Sequence, residues 1–403
     1  LELLLPFVDA SDDIEPTYEI RAVIAAVGRG LVGGRSFTQL MADTMRLLAR
    51  PVLERAGPTG AHYVAPARSE HFMMMTSAMG GGVLTLGTAV LKFLVKWGEF
   101  SPFLDGLLSS VVYAGSFVIM QLLGFTLATK QPSMTAAALA GTIRNRSGPG
   151  RLDELVPLIA RIARSQFAAA IGNVSAVIVA ALLFDFLYAT ATGHSFLDEA
   201  TSIKTVKSFD PNPFHSGTIF YGFLTGVILW TSSLFAGWFE NWVVYRRLPE
   251  AIRHHRWGKR VGQARMDRWA QFIERQAAGF GGSVSLGVML AFVPIMGKFF
   301  GLPLDVRHIT LSTGSLTLST SSAGIETLGT GPFIWACVGI AVIGLLNFGV
   351  SFTLALIVAL RARDVPSSEQ TSLPGAVFRR FLRRPWDFFY PPKDAKPVEH
   401  GHH

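Results

Sequence analysis

Six apolar stretches, at roughly 72–95, 103–128, 167–190, 217–245, 278–300 and 331–360, dominate what this chain can fold into. A helix needs about 20 residues to cross the hydrocarbon of a bilayer. Only helices and closed barrels satisfy their own backbone there. Composition points the same way: charged residues make up 16% of the chain, against about 25% for a soluble domain. Half the residues are apolar. The expected fold is an all-α integral membrane protein with about six transmembrane helices, plus a re-entrant or surface helix at 305–326. The chain divides into a helical region at 1–70, a transmembrane domain at 71–360 and a basic tail at 361–403.

The loops between the apolar stretches alternate in charge. Residues 129–166 carry six Lys and Arg, 246–277 carry nine and the tail after 360 carries eight. The intervening loops carry only Lys204 and Lys207 at 191–216 and Arg307 at 301–330. Lys and Arg concentrate on the cytoplasmic side of membrane proteins, so both termini and the three rich loops are expected in the cytoplasm. Lys92 and Lys96, at the outer end of the first stretch, run against this trend.

The same counting constrains the stretch VRHITLSTGSLTLSTSSAGIETLG (306–329). Nine of the thirteen positions from Thr310 to Ser322 are Ser or Thr. A seventh span here would put the Arg-rich tail outside, so both ends of this belt are expected on the outer face. Leu304, Leu311, Leu318 and Ile325 recur every seven residues, close to two helical turns. ITLS and LTLS also alternate as in a strand pair, so both readings stand, and the longer recurrence favours the helix. Gly314 suggests a break under either. Helical Ser and Thr can bond to carbonyls one turn back, which suits them to partial burial in a membrane protein. Arg307, His308, Ser312, Thr313, Ser315, Ser319 and Glu326 are therefore candidates to line a polar cavity or pore.

Ionisable groups inside a membrane are costly and mark function by default. Asp185 lies toward the outer end of the third span with no local partner, so it faces a cavity or is stabilised from elsewhere, for instance by Lys92 or His194. Glu240 and Asn241 sit near the inner end of the fourth span, where Glu240 could pair with Arg246 or Arg247 as a structural anchor. The basic loop interleaves Trp257 and Trp269 with cations, as interfacial helices do. Arg246, Arg247, Arg253, Arg256, Lys259 and Arg260 are candidates for anionic lipid headgroups. Lys130, in TKQPSMT (129–135), could hold a phosphate or carboxylate, or simply snorkel from a helix-ending turn. Small residues four apart, Ser77-Gly81-Thr85 and Gly279-Ser283-Gly287, suit close helix packing in lipid. Cys337 is the single cysteine and no HExxH pair occurs, so no metal or other cofactor is expected.

The stretches FTLATKQPSMTA (125–136), RSQFAAAIGN (164–173), FAGWFENWVVYRRLP (235–249) and LDVRHITLSTG (304–314) resemble the bacterial family called site-specific recombinase transmembrane proteins. The likeness runs from TGAHYVA (59–65) through EHFMMMTSAMGGG (70–82) to about 360. It implies a bacterial inner-membrane, multi-pass location and a longer N-terminal region, so the chain, which starts LELLLPF, is read as a piece of a longer protein. The family carries no catalytic set. A tyrosine recombinase needs a nucleophilic Tyr beside several cationic donors. Tyr113, Tyr188 and Tyr221 fall in spans, and none of Tyr18, Tyr63, Tyr245 and Tyr390 follows an HxxR box. RHHRW (253–257) does not keep that spacing.

The expected function is therefore non-enzymatic handling of a solute or lipid through a polar cavity. The alternatives are the recombination role in the family's name, or a scaffold with a basic cytoplasmic face. Membrane lipids are the expected partners rather than nucleic acid, and a homo-oligomer or an envelope partner is left open.

Overall fold

A computed structural model describes residues 68–128, 151–362 and 367–392, all within one compact unit. The expected N-terminal helical pair, Lys130 and the rest of TKQPSMT lie outside the described residues. Among the described residues the regular structure is helical, with no strand. Six helices are long and apolar enough to cross a membrane: α1 (Arg68–Trp97), α2 (Pro102–Leu122), α3 (Arg151–Thr192), α5 (Thr218–Tyr245), α8 (Gln263–Phe300) and α10 (Gly331–Ala362). Shorter helices are α4 (Glu199–Ser208), α6 (Leu248–Arg253), α7 (Gly258–Val261), α9 (Ile309–Ala323) and α11 (Ser367–Arg383).

Neighbouring spans pack in a circuit, with α3 on α1, α1 on α2, α2 on α8, α8 on α5 and α5 on α10. At the end rich in Lys and Arg, hereafter the basic end, Leu155, Ile159 and Ile162 of α3 join Phe352, Ala355 and Leu360 of α10 in one apolar cluster. Leu373 of α11 completes it, so helix begins at Ser367 within the stretch 364–374 that reads as a linker in sequence. The membrane boundaries differ from expectation in a consistent way. At 1.5 Å per residue, the 42 residues of α3 and the 38 of α8 exceed a bilayer core, so part of each basic loop is helix continuing from a span.

The second span is shorter than the apolar run suggests. α2 stops at Leu122, and residues 123–128 are not helical although Thr126, Leu127 and Ala128 are buried. The stop is a Schellman motif. Gly124 takes φ 69°, its N–H bonds to the Gln121 carbonyl, and the Phe125 N–H bonds to the Met120 carbonyl at 2.8 Å. Glycine adopts this left-handed conformation without the Cβ penalty. The same device ends α8: Gly301 has φ 64°, and the Leu302 N–H reaches the Gly297 carbonyl at 2.8 Å. Each Schellman turn releases an irregular segment that runs back into the bundle.

The second of these segments, 302–308, leads into α9. Nine of the fifteen α9 residues are buried, which makes it an interior helix rather than a surface one. It packs on α1, α3, α4 and α10. At about 22 Å it is too short to span. It stops at Gly324, φ 92°, before a single 3₁₀ turn at Ile325–Thr327. Residues 302–323 thus form a re-entrant hairpin with an extended descending leg and a helical ascending one. The seven-residue stripe breaks at both ends. Leu318 is buried, Leu304 precedes the helix and Ile325 is exposed beyond it. Gly314 does not break α9; its bare Cα lets Val177 of α3 approach.

The small-residue spacing in α1 has a specific partner. A Cβ at Gly81 would run into the Thr126 carbonyl oxygen, and the Ser77 hydroxyl donates to the Gly124 carbonyl at 2.8 Å. Gly81→Val should push the 125–128 segment outward and lower stability by about 3 kcal/mol, the upper end of overpacking costs. Gly87→Ala, with open space around it, should be neutral. Thermal unfolding of the two purified variants checks the contrast.

Candidate functional site

Two asparagines hold the irregular segments in place. Asn173, fully buried in α3, uses all four of its hydrogen-bonding positions. Its Nδ2 donates to the carbonyls of Ala78 (2.6 Å) and Thr126 (2.8 Å). Its Oδ1 accepts from the Ala128 N–H (3.1 Å) and the Thr310 hydroxyl (3.2 Å). One amide thereby ties α1, the 125–128 segment and the start of α9 to α3. Asn347, fully buried in α10, does the same on the other flank. Its Nδ2 donates to the Gly222 and Arg307 carbonyls, both at 3.0 Å, and its Oδ1 accepts from the Ile309 N–H at 3.0 Å. The Thr225 hydroxyl accepts the Arg307 N–H at 2.8 Å. His308, 2% exposed, lies in the same knot and hydrogen-bonds the Ala128 backbone. Irregular backbone survives at membrane depth only where protein or water satisfies it, and these two amides provide much of that satisfaction.

Asp185 has its partners at the far end of α9. Its Oδ2 accepts the Ser321 hydroxyl at 2.6 Å, and its Oδ1 accepts the Ser322 hydroxyl at 3.0 Å and the Phe196 N–H at 2.9 Å. Only 3% of its surface is exposed. The carboxylate fastens the hairpin exit and the 194–198 turn to α3. Lys92 is engaged elsewhere.

Lys92 lies near the end of α1 opposite the basic end. The residue is exposed, while its ammonium turns toward the bundle and interacts with the Tyr113 side chain. Its ammonium stands 5.8 Å from the Tyr113 ring centroid, with Asp305 and Arg307 within electrostatic reach. The Arg307 guanidinium lies 4.8 Å over Phe209 and 5.9 Å from the Tyr221 ring centre. One of its terminal nitrogens is 3.4 Å from Asp305 Oδ2, and its buried Nε has no hydrogen-bond partner. One turn further along α1, Lys96 is within electrostatic reach of Lys92, Lys204, Lys298 and Asp105. Lys92 thus links Arg307 and Asp305 on one side to this second group of lysines on the other.

The remaining sequence candidates separate. Ser312, Thr313 and Ser319 are buried within α9, and Ser315 is half-buried. Thr313 bonds back to the Ile309 carbonyl at 2.8 Å, while the buried Ser319 Oγ has no partner. Glu326 is exposed on the 3₁₀ turn. At the basic end Arg246, Arg247, Arg256, Lys259 and Arg260 are exposed, whereas Arg253 pairs with Glu250 at 2.9 Å and Glu274 at 3.4 Å. Glu240 and Asn241 are half-buried near the end of α5. A separate apolar groove of about 490 Å³, lined by Phe235, Trp238, Phe280, Val284 and Met289 among others, runs between α5 and α8.

Asn173 and Asn347 carry more of the interior than any Ser or Thr of the belt, and sequence reasoning did not single them out as sites. The available signal was one amide deep in each of two otherwise apolar runs. Lys96 registered only as an exception to the charge pattern, and Lys92 as such an exception and as a possible partner of Asp185.

Comparison with known proteins adds a family. No curated protein and no solved structure matched the chain. A family model described as site-specific recombinase matches residues 1–391, which takes in every span, both irregular segments, Lys92 and Arg307. The chain therefore belongs to the site-specific recombinase family.

Proposed function

We propose that this protein is a multi-pass inner-membrane protein that admits a solute or lipid to the recess between α1, α2, α5 and the re-entrant hairpin. In this reading the basic end faces the cytoplasm and the recess opens on the other side. The observation that carries it is the meeting of Lys92, Arg307 and Asp305 one to two helical turns from the end of α1, with Lys92 an exposed residue. Ionisable groups at that depth are costly and mark function by default. The two Schellman turns and the asparagine knot supply the rest of the design. They bring an irregular backbone, and with it Arg307, to a depth that a continuous helix would have filled with its own hydrogen bonds. Broken segments meeting inside a bundle are how transport proteins build binding sites.

DNA cleavage does not fit the same geometry, because Tyr113 is buried at 2% exposure beside Phe117 and Tyr221 faces Arg307 within the bundle. The exposed cations of the 246–260 turn, with Trp257 and Trp269 also exposed, suit adhesion to anionic lipid at about 1 kcal/mol per charge.

The test uses Lys92→Cys in a Cys337→Ser background, with the protein in lipid nanodiscs. A small charged thiol reagent should modify the thiol introduced at position 92 to completion. Phe117→Cys in the same background places a thiol in the buried core, where it should remain unmodified. Equal protection of the two introduced thiols would mean that the recess is closed and the reading is wrong.

A further inference from the structure

We infer that the recess is a binding site for a phosphoryl group, with Arg307 and Lys92 as its inner ligands and Lys96, Lys204 and Lys298 as an electropositive mouth. This rests on the recess being open, as proposed above, and adds the class of ligand. Three observations carry it independently of the family.

The first is charge. Cations on four different elements, α1, α4, α8 and the hairpin, converge on one region. Asp305 and Asp105 are the carboxylates within reach of Lys92 and Lys96. Lys96 in particular has three lysines in reach. Like charges gathered together repel, and a bound anion relieves that repulsion. A doubly charged phosphoryl group suits this excess better than a single carboxylate does.

The second is geometry. The Arg307 guanidinium is held against the Phe209 ring, and Asp305 takes only one terminal nitrogen. Its Nε–H is buried and unpaired. A fixed guanidinium with free donors matches the oxygens of a phosphoryl group through parallel hydrogen bonds. Asp305 orients that fork and does not exhaust it. The Lys92 ammonium adds a point charge from the facing helix.

The third is position. The Arg307 backbone is pinned by Thr225 and Asn347, so the guanidinium is presented from a rigid base. Thr225 lies seven residues into α5 and Lys92 five residues before the end of α1. Both are about 8–10 Å from the helix ends, a depth that a phospholipid headgroup or a soluble phosphate ester can reach from the membrane surface.

The experiment measures thermal stability of the purified protein in nanodiscs of phosphatidylcholine, titrated with inorganic phosphate at constant ionic strength against chloride. A parallel arm substitutes phosphatidylglycerol for part of the phosphatidylcholine and reads retained lipid by native mass spectrometry. Saturable stabilisation by phosphate, weakened at least tenfold in Arg307→Gln and Lys92→Gln, supports the site. Arg256→Gln at the basic end should leave it unchanged. Phosphate stabilisation without preferential phosphatidylglycerol retention identifies a soluble ligand; retention lost in Arg307→Gln identifies a headgroup. Lys96→Gln/Lys204→Gln, both on exposed positions that leave the core intact, should weaken binding severalfold and serves where an inner variant fails to fold. The inference is overturned if neither arm shows binding, or if binding persists undiminished in both the inner and the rim variants. If Lys92→Cys is still modified by the thiol reagent, that result would remove the phosphoryl ligand and leave the open recess standing. Protection of Lys92→Cys from the reagent would remove both.

Discussion

Replacing Asn173 by Ala should lower stability by about 3 kcal/mol or more and depress the unfolding midpoint by roughly 3–5 °C. The substitution strands the Thr126 carbonyl, the Ala128 N–H and the Thr310 hydroxyl, and leaves the Ala78 carbonyl with its helical bond alone. All sit around a side chain with no exposed surface. Each buried polar group left unpaired costs about 1–3 kcal/mol, and relaxation keeps the sum below the simple total. Asn173→Asp is the sharper variant because it keeps size and shape. It places a second acceptor against two carbonyl oxygens and should destabilise as much as Ala does. Thermal unfolding by intrinsic fluorescence measures both. A midpoint within about 1 °C of wild type for either would mean that the knot does not hold the irregular segments.

Asp185→Ala should cost about 3 kcal/mol, in line with removing the acceptor from several buried donors. The loss has a distinct location. Ser321, Ser322 and the Phe196 N–H lose their acceptor together, so amide exchange should accelerate at 194–198 and 319–328 and stay near wild type in α2 and α8. Asp185→Asn retains an oxygen for the Phe196 N–H and should cost about 1 kcal/mol. Uniform acceleration across all spans in Asp185→Ala would show a general loss of packing instead of a loosened hairpin exit. These two substitutions act at opposite ends of α9, Asn173 at its start and Asp185 at its finish.

The spans were legible because bilayer thickness imposes length and hydropathy directly on sequence. The alternating Lys and Arg counts likewise marked one end of the bundle as basic. What the apolar runs concealed is where helix gives way to irregular chain. The run 103–128 reads as one span because Phe125, Leu127 and Ala128 are as apolar as a helix, and Gly124 alone marks the turn. The hydroxyl belt was visible as a helix, but its burial was not. Periodicity assumes one wet face, whereas α9 has protein around most of its circumference; Thr313 and Thr320 bond to carbonyls one turn back, and Ser321 and Ser322 bond to Asp185. Polar side chains on such a helix report internal bonding as readily as a water-lined path.

The cation cluster was hidden for a different reason. Its cations come from Lys92, Lys96, Lys204, Lys298 and Arg307, positions far apart in the chain, and each alone is an ordinary span-end charge. Tertiary convergence turns them into a cluster. Three of the four stretches that carry the family likeness, 125–136, 164–173 and 304–314, supply Thr126, Ala128, Asn173, Arg307, His308 and Thr310 to the knot. The likeness thus tracks the part of the fold that a plain helical bundle would not need.

The hairpin itself is tested most directly by sided labelling of single cysteines in a Cys337→Ser background, with a membrane-impermeant maleimide on intact and inverted vesicles. Lys298→Cys marks the end of α8, Glu326→Cys the exit of α9 and Arg256→Cys the basic end; all three positions are exposed. Cysteines at 298 and 326 should label from one face, and the cysteine at 256 only from the other. Labelling of 298 and 326 from opposite faces would make 302–326 a seventh span and contradict the re-entrant fold on which the recess depends.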